Sequence, residues 1–358
     1  MKIGLVLVSE GFAGAERSVY KITEELSKIK DNQVYLIIND EIFLQYNDLK
    51  NTNIFNIGII NKGNTLLNLI NFYRVKKNIK KIVDGNNLDI INSHMDLSNF
   101  LCPKMLNHIN VFCGTDLRYL IKPPSLKYRF GFLPIIKKNL NKSIRIISTG
   151  KDQIKNLPKK YKKKTVVIHN GVDLEVFKPL NKIKQKKNVI LFAGRFIDIK
   201  GIQEIVNVAK QLSQYEFWFA GQGPLADLIN LPNTKNLGFK TTEELVKLYN
   251  QANICIFPSH RESFGLVGLE AMACGKAVIA TPLGFSEYIE NGKDGIIIPA
   301  KDEKSLKDAI VDLMTNEKKR KMLEKNARKK ALKYSWDNVA KQYMRVFKEV
   351  LRESEKKK

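Results

Sequence analysis

A repeated alternation of short apolar strands and amphipathic helices limits this chain to one class of fold. The first series of predicted strands lies at 2–8, 33–38, 88–92, 109–112, 144–148 and 165–168. The second series lies at 188–193, 215–220, 253–257, 277–280 and 296–298. Predicted helices lie between the strands, including 14–29, 65–83, 200–213, 242–250, 265–273 and 303–314. Since alternating strands and helices build parallel sheets with right-handed crossovers, each series predicts a doubly wound α/β domain.

A polar, lysine-rich stretch at 177–187 separates the two series and is the best candidate for a linker. We therefore expect an N-terminal domain over 1–176 and a C-terminal domain over 188–339. A chain of 358 residues is long enough for each domain to have its own core. A last helix, at about 340–354, is expected to pack back on the N-terminal domain. Two Rossmann-like domains that face a central cleft are the simplest architecture.

The composition excludes several classes of protein. Hydrophobic residues make up 44% of the chain, so it is globular and not disordered. The apolar run at the N-terminus is too short to span a membrane and lacks a cleavage site, so we interpret it as a first strand and not as a signal peptide. The 4 cysteines have no C-x-x-C spacing, which favours reduced thiols over a disulfide framework or a zinc site. A cytoplasmic protein is therefore expected.

The formal net charge of +25 allows two interpretations. A strongly basic chain favours partners that carry phosphate, such as nucleotides, anionic lipids or nucleic acid. Alternatively, the lysines follow from AT-rich coding and only cover a solvated surface. They are spread through both halves and no nucleic-acid-binding motif is present, so no nucleic-acid partner is expected.

Two glutamates, Glu262 and Glu270, stand eight positions apart where a predicted strand, a loop and a helix follow one another. Eight residues of helix span about 12 Å, whereas the carboxylates of a glycosidase stand about 5–9.5 Å apart. The spacing therefore favours contacts at the two ends of a long ligand over a hydrolytic pair. The alternative is that Glu270 only caps the helix or forms a local salt bridge.

The residues between the two glutamates favour an anion. The backbone N–H groups of Gly265, Leu266 and Val267 lie at the predicted start of the helix. Free N–H groups and the helix dipole at such a position favour a diphosphate. The segment as a whole suits a nucleotide sugar, with one carboxylate at the sugar and the other at the ribose.

This segment resembles the E-x7-E signature of the large family of retaining glycosyltransferases with the GT-B fold, family GT4. Further elements resemble that family's motifs in the same order along nearly the whole chain: Gly11–Arg17, His169–Asp173, Gly194-Arg195, Lys200-Gly201, Gly221–Pro224, Gly284 with Glu287, and Asn291–Gly295. The resemblance implies a glycosyltransferase whose C-terminal domain binds the nucleotide sugar and whose N-terminal domain binds the acceptor.

The resemblance also implies roles for individual residues. Arg195 and Lys200 would hold the donor diphosphate and stabilise the charge that develops as it leaves. Glu270 would bind the ribose hydroxyl groups, and Glu262 would contact the transferred sugar. For each cation the alternative is an ordinary surface residue.

Three further residues are expected at the donor. Phe239 and Lys240 belong to a segment, Leu237–Lys240, that is similar to the family's base-binding turn. Gly14 would let the N-terminal backbone approach the phosphates closely. The alternative for Gly14 is an ordinary turn between a strand and a helix.

On the acceptor side the chain departs from the family pattern. Many relatives have a histidine where this chain has Cys113, and a thiol does not replace imidazole as a cation or base near neutral pH. Either the acceptor hydroxyl group is activated differently, or Asp116 or His94 contributes. His94 matches a family histidine at a strand end, and its alternative is a buried structural histidine. A second departure is Leu283, where relatives often have glycine.

No metal or cofactor is expected, because no D-x-D pair or histidine cluster is present. The nucleotide-diphosphate sugar would be the only co-substrate. Without an evident protein nucleophile, the resemblance implies retention by front-face attack, in which the departing phosphate oxygen takes the proton of the acceptor. The donor sugar, its base, the linkage and the oligomeric state do not follow from the sequence.

The stretch 118–142 interleaves basic, aromatic and aliphatic residues. It is a candidate for peripheral contact with an anionic membrane that carries a lipid-linked acceptor. The alternative is a helix packed in the core with solvated lysines.

The leading hypothesis is thus transfer of a hexose-type sugar to a glycan or lipid-linked acceptor in cell-envelope synthesis. Two other hypotheses are another GT-B enzyme, such as an epimerase or a phosphorylase, and a non-catalytic sugar-nucleotide-binding scaffold.

Overall fold

The computed structural model describes residues 1–11, 14–60, 65–102, 107–112, 133–155 and 157–356. The chain forms two compact units. The first contains Met1–Asn170 and Trp336–Lys358, and the second contains Gly171–Ser335. In the described ranges, no helix is both long enough and apolar enough to cross a membrane.

The first unit is built on a parallel sheet with helices around it. Its strands are β1 (Lys2–Leu7), β2 (Gln33–Ile38), β3 (Thr52–Asn56), β4 (Ile90–His94), β5 (His108–Phe112), β6 (Arg145–Ser148) and β7 (Thr165–Val167). Its helices are α1 (Gly14–Ser27), α2 (Asp40–Phe43), α3 (Thr65–Asn86), α4 (Met95–Leu101), α5 (Leu133–Lys142), α6 (Lys151–Ile154), α7 (Lys159–Lys162) and, numbered last in the chain, α13 (Trp336–Glu355). The strand order is β3-β2-β1-β4-β5-β6-β7, so the order reverses between β1 and β4.

Helix α13 belongs to the first unit although it follows the second unit in sequence. Its apolar residues recur at helical spacing and are buried in the core that β1, β2 and α1 also line: Trp336, Val339, Ala340, Tyr343, Met344, Val346, Phe347 and Val350. The helix packs against α1. Exposing so many apolar side chains to water would be unfavourable in free energy. The apolar face of α13 therefore holds the helix against this core.

The second unit repeats the same design. Its strands are β8 (Val189–Ala193), β9 (Glu216–Ala220), β10 (Thr234–Gly238), β11 (Ile254–Phe257), β12 (Ala277–Ala280) and β13 (Ile296–Ile297). Its helices are α8 (Ile202–Gln211), α9 (Thr242–Gln251), α10 (Leu266–Ala273), α11 (Glu303–Thr315) and α12 (Glu317–Ala331). All strands pair in parallel in the order β10-β9-β8-β11-β12-β13. The loops after β8 and β11 therefore leave the sheet at its topological switch point, where α/β sheets bind ligands.

The boundary between the units differs from the predicted one. The stretch 177–187, predicted as a linker, lies inside the second unit. Phe177 is buried in that unit's core. The Asn250 side chain accepts a hydrogen bond from Leu180 N at 2.8 Å and donates one to the Lys178 carbonyl at 3.1 Å. These contacts explain why a lysine-rich stretch is nevertheless part of a folded unit.

Candidate functional site

The loops that follow β8 and β11 lie against each other at the switch point of the second sheet. Strands β8 and β11 are neighbours, with Ile190 opposite Ile254. Gly201 packs so closely that a Cβ atom there would lie 2.4 Å from the Pro258 carbonyl oxygen. His260 N also donates to the carbonyl oxygen of Ile199 at 2.8 Å. The two loops therefore form one surface, which carries Lys200 and Glu262.

Lys200 and Glu262 form an ion pair across these loops. The side chains are 16% and 17% exposed, so water screens the pair less than it would at an open surface. The other oxygen of Glu262, Oε1, accepts from the backbone N–H of Ser263 at 3.1 Å. The sequence predicted both residues at the donor, and the structure brings them into direct contact.

Helix α10 begins directly after this pair. Gly265 is its N-terminal cap, with φ +78°. Leu266 and Val267 form the first turn, where N–H groups have no acceptor within the helix. The hydroxyl group of Tyr288 donates a hydrogen bond to the Gly265 carbonyl oxygen at 2.5 Å and so holds the cap in place. Burial, with a smaller effect of the Glu262 carboxylate, raises the pKa of Tyr288 well above its usual value, so the hydroxyl group keeps its proton.

Glu270 lies one turn further along α10, and it is partly buried. The hydroxyl group of Tyr249 lies 3.3 Å from Glu270 Oε2 and 3.2 Å from the Val267 carbonyl oxygen, within hydrogen-bond reach of both. Burial raises the pKa of Tyr249 well above its usual value, and the nearby Glu270 carboxylate adds to this effect. Glu262 thus lies in the loop before α10 and Glu270 lies within the helix, as the sequence predicted.

Three other donor candidates lie in the second unit, after strands β8 and β10. Arg195 is exposed directly after β8 and has no ion-pair partner among the described residues. Lys240 pairs with Glu244 at 3.4 Å. Phe239 is 62% exposed although it is a large aromatic residue. An exposed ring after a parallel strand is available to stack on a flat ligand.

Two family models match consecutive parts of the chain. The model "Glycosyltransferase Family 4" matches residues 12–176, and the model "Glycosyl transferases group 1" matches residues 173–330. The chain is a group 1 glycosyltransferase. The recognition from motifs is thereby confirmed, and so is the prediction that the chain is an enzyme of this class.

Relatives and solved structures agree with this family. The glycosyltransferase is 29% identical over 339 residues to an uncharacterized glycosyltransferase of Methanocaldococcus jannaschii, covering 91% of this chain and 92% of that one. It is 29% identical over 219 residues to N,N'-diacetylbacillosaminyl-diphospho-undecaprenol alpha-1,3-N-acetylgalactosaminyltransferase of Campylobacter jejuni, covering 56% and 58%.

Among solved structures, sucrose-phosphate synthase of Thermosynechococcus elongatus matches with a TM-score of 0.80 at 19% identity, covering 98% of this chain and 99% of that one. HepE of Anabaena, in complex with UDP-glucose, matches with a TM-score of 0.73 at 16% identity, covering 98% and 100%. These likenesses confirm the predicted GT-B fold with two Rossmann-like doubly wound domains.

The structure of the glycosyltransferase also shows a contact that the sequence left open. His260, in the loop after β11, lies with its Nε2 atom 2.6 Å from Oε1 of Glu204 on α8. Both side chains are largely buried, at 12% and 14% exposure. The two residues are 56 positions apart, and no motif connects them. Together with the backbone bond from His260 to Ile199, this contact ties the Glu262 loop to the Lys200 loop.

On the acceptor side, His94 is fully buried at the end of β4. Its Nε2 atom lies 2.8 Å from the Asn92 side-chain oxygen, and its ring stacks with that of Tyr343 at 6.3 Å. Burial lowers the pKa of His94 to about 3, so the ring is neutral at physiological pH. These contacts fit the alternative of a structural histidine. Cys113 and Asp116 lie outside the described residues.

Gly14 is the first residue of α1 and is exposed. Its carbonyl oxygen accepts a hydrogen bond from the side-chain hydroxyl group of Ser18 at 2.9 Å. Of the stretch 118–142, only 133–142 is described, as α5. There Leu133 and Leu140 are buried in a small core, so this part packs as a helix with exposed lysines. Within the described ranges, no group of histidine, cysteine and acidic residues has the arrangement of a metal site.

Proposed function

We propose that this glycosyltransferase moves a hexose-type sugar from a nucleotide-diphosphate sugar to a hydroxyl group of a glycan or lipid-linked acceptor, in the synthesis of cell-envelope polysaccharide or glycolipid. The observation that carries the proposal is the contact of Lys200 with Glu262 beside the start of α10. A cation, a carboxylate and unpaired N–H groups together match the chemistry of a diphosphate joined to a sugar.

The comparisons suggest which substrates to test first. The complexes of HepE with UDP and with UDP-glucose make uridine nucleotides the first donors to try. The Campylobacter relative is named for transfer to a sugar on diphospho-undecaprenol, which supports a lipid-linked acceptor. These are properties of the relatives, and they enter here as part of the proposal.

In the proposed complex, Arg195 and Lys200 bind the diphosphate together with the N–H groups of Leu266 and Val267. Glu262 orients the transferred sugar, and Glu270 binds the ribose hydroxyl groups. The turn at Phe239 and Lys240 holds the base. Since the donor phosphates compete for Lys200, donor binding is expected to draw its ammonium group away from Glu262 and to free that carboxylate for the hydroxyl groups of the sugar.

The proposed reaction retains the configuration of the sugar. The bond between the anomeric carbon and the donor phosphate oxygen breaks, and the acceptor oxygen bonds to that carbon on the same face. The departing phosphate oxygen takes the proton of the acceptor. The positive charges of Arg195 and Lys200 stabilise the diphosphate as it leaves, so that the scheme requires no metal ion.

The first experiment identifies the donor and tests the roles. Thermal stabilisation by a panel of nucleoside diphosphates and their sugars selects the nucleotide that binds the folded chain. With that donor, Glu262→Gln is expected to lower the rate of nucleoside diphosphate release by about 100-fold or more, because it removes a charge that acts at the reacting sugar. Glu290→Gln is the matched control, since Glu290 lies in the same unit and its exposed carboxylate pairs with exposed Lys293 at 2.9 Å.

The same preparation tests the mechanism and the main alternative. NMR of the product is expected to show the anomeric configuration of the donor, and treatment with EDTA is expected to leave the rate unchanged. An inverted product would refute front-face attack. Nucleotide binding without any transfer or donor hydrolysis would instead support the non-catalytic scaffold that the replacement of histidine by Cys113 suggests.

A further inference from the structure

Helix α3 of the first unit has an exposed face with an unusual combination of side chains. Ile70 is 52% exposed and Tyr73 is 74% exposed, which are high values for large hydrophobic residues. Arg74, Lys77 and Lys81 are exposed at the positions that continue the same face toward the C-terminus. Residues three and four apart lie on one side of a helix, so these five residues form a single stripe. We call it the α3 stripe.

The opposite face of α3 fixes the helix to the unit. Val75, Ile79 and Val83 are buried at spacings of four residues and pack in a core with β2 residues such as Tyr35 and Ile37. The Asn78 side chain also donates to the Ile57 carbonyl oxygen at 3.1 Å. The α3 stripe is therefore presented to the outside by a helix that does not need it for folding.

The cations of α3 are not neutralised. Arg74, Lys76, Lys77, Lys80 and Lys81 are all exposed, and in the part of the chain that the structure describes none of them forms an ion pair or a side-chain hydrogen bond. The only acidic residue of the helix is Asp84, near its C-terminal end. Five free cations within eight residues create a local positive potential that attracts anions.

Helix α12 shows that this pattern is not a general result of the basic composition. It is also rich in lysine and arginine, but its cations largely have partners. Lys319 pairs with Asp312 at 2.6 Å, Lys321 with Glu324 at 3.0 Å and Lys330 with Asp294 at 3.1 Å. The large hydrophobic residue that it exposes is Met322. Within the described residues, helix α3 thus combines two exposed large hydrophobic residues with cations that all lack a partner, whereas α12 exposes one such residue and has partners for most of its cations.

We infer that the α3 stripe docks the first unit on an anionic lipid bilayer. The cations would lie among the lipid phosphates, while Ile70 and Tyr73 would enter the boundary between headgroups and acyl chains. Tyrosine is favoured at this boundary because its ring is apolar and its hydroxyl group is polar. An exposed isoleucine beside it favours a bilayer over nucleic acid, since phosphate contacts alone do not require an aliphatic residue. The inference concerns a surface outside the proposed donor site, so its test does not depend on sugar transfer.

The test is sedimentation of the whole chain with phosphatidylcholine vesicles, with and without 30% phosphatidylglycerol, at low and high salt. Binding is expected only with the anionic vesicles and is expected to weaken with salt. Each cation near such a surface contributes roughly fivefold in affinity, so Lys77→Glu with Lys81→Glu is expected to weaken binding by at least about 25-fold. Ile70→Ser with Tyr73→Ser is expected to weaken binding while its salt dependence stays the same.

The matched control is Lys325→Glu with Lys329→Glu, which makes the same change in net charge on exposed lysines of α12. It is expected to weaken vesicle binding much less than the α3 pair does. Equal losses for both pairs would overturn the inference, because only total charge would then matter. Equal binding to neutral vesicles would overturn it as well. So would a loss of binding to duplex DNA or RNA in the α3 pair with vesicle binding unchanged, which would assign the stripe to nucleic acid.

Discussion

Replacement of Gly265 by alanine tests whether the start of α10 depends on the absence of a side chain. Gly265 has φ +78°, in the left-handed region. A Cβ atom there would lie 2.4–2.9 Å from three atoms of the Phe285 ring. That ring cannot move away easily, because it is fully buried and stacks on Phe257 at 5.8 Å. Both the backbone and the ring therefore resist the substitution.

The two effects have separate magnitudes. An alanine in the left-handed region costs about 1–2 kcal/mol of folding free energy. Forcing an extra carbon into a packed core costs about 1–3 kcal/mol. Gly292 is a matched control, because its φ is +75° and a Cβ atom would meet nothing within 4 Å. We therefore expect Gly265→Ala to destabilise the second unit by about 2–5 kcal/mol, and Gly292→Ala by about 1–2 kcal/mol.

Urea unfolding monitored by tryptophan fluorescence provides the measurement. The chain has 2 tryptophans, and Trp218 lies in the second unit whereas Trp336 lies in the first. In a Trp336→Phe background, Trp218 alone reports the unfolding of the second unit. Adding Phe285→Leu to Gly265→Ala is expected to return part of the packing cost, which a double-mutant cycle detects. Equal losses for Gly265→Ala and Gly292→Ala, with no coupling to position 285, would refute the reasoning.

Two further predictions follow from buried histidines and from the loop contact. Burial lowers the pKa of His94 to about 3 and that of His108 to about 4, both below the usual value of 6.5. The unfolded chain therefore binds more protons as the pH falls below 6.5, so the first unit should lose about 1.4 kcal/mol per histidine at pH 5.5 relative to high pH. Urea unfolding at pH 5.5 and at high pH, followed by the fluorescence of Trp336 in a Trp218→Phe background, measures this loss. His108→Asn should remove about half of it. A variant with the same pH dependence as the parent chain would contradict the prediction. His260→Ala is expected to weaken binding of the donor nucleotide about 2–10-fold, because it releases the loop of Glu262. His260→Gln can still donate to Glu204 and should retain most of the affinity, as measured by calorimetry. Equal affinities of the two variants would contradict the positioning role of His260.

The central strands of both sheets could be predicted because they are fully buried and therefore appear as uninterrupted apolar runs. β8 and β11, for example, have every residue buried. Two strands were missed, β3 and β10, each at the edge of its sheet. Their sequences, Thr52–Asn56 and Thr234–Gly238, contain mostly partly buried or exposed residues. The other two edge strands, β7 and β13, were predicted because each lies in a run of three apolar residues, 166–168 and 296–298, whereas β3 and β10 have at most two apolar residues together. The pairing of β3 and β10 therefore follows only from the rest of each sheet.

The site shows a similar division. The glycines, Lys200 and Glu262 could be proposed from the sequence because they lie in short loops with specific residue spacing. The groups that support them come from distant positions and have no such signal. Tyr288 reaches Gly265 across 23 residues, and Tyr249 reaches Glu270 across 21. Their roles depend on packing in three dimensions. The sequence alone therefore does not distinguish a tyrosine that fixes a helix cap from any other tyrosine of the core.

The position of α13 has a consequence for the order in which the chain folds during synthesis. A ribosome makes the whole second unit, Gly171–Ser335, before it makes the helix that completes the core of the first. Until Trp336, Tyr343 and Phe347 emerge, the nascent first unit exposes the apolar surface of α1 and its sheet that these residues later cover. The middle of the chain can therefore fold first, and the N-terminal part, although made earlier, is completed last. Chaperones that bind exposed apolar surface would meet this protein mainly during that interval.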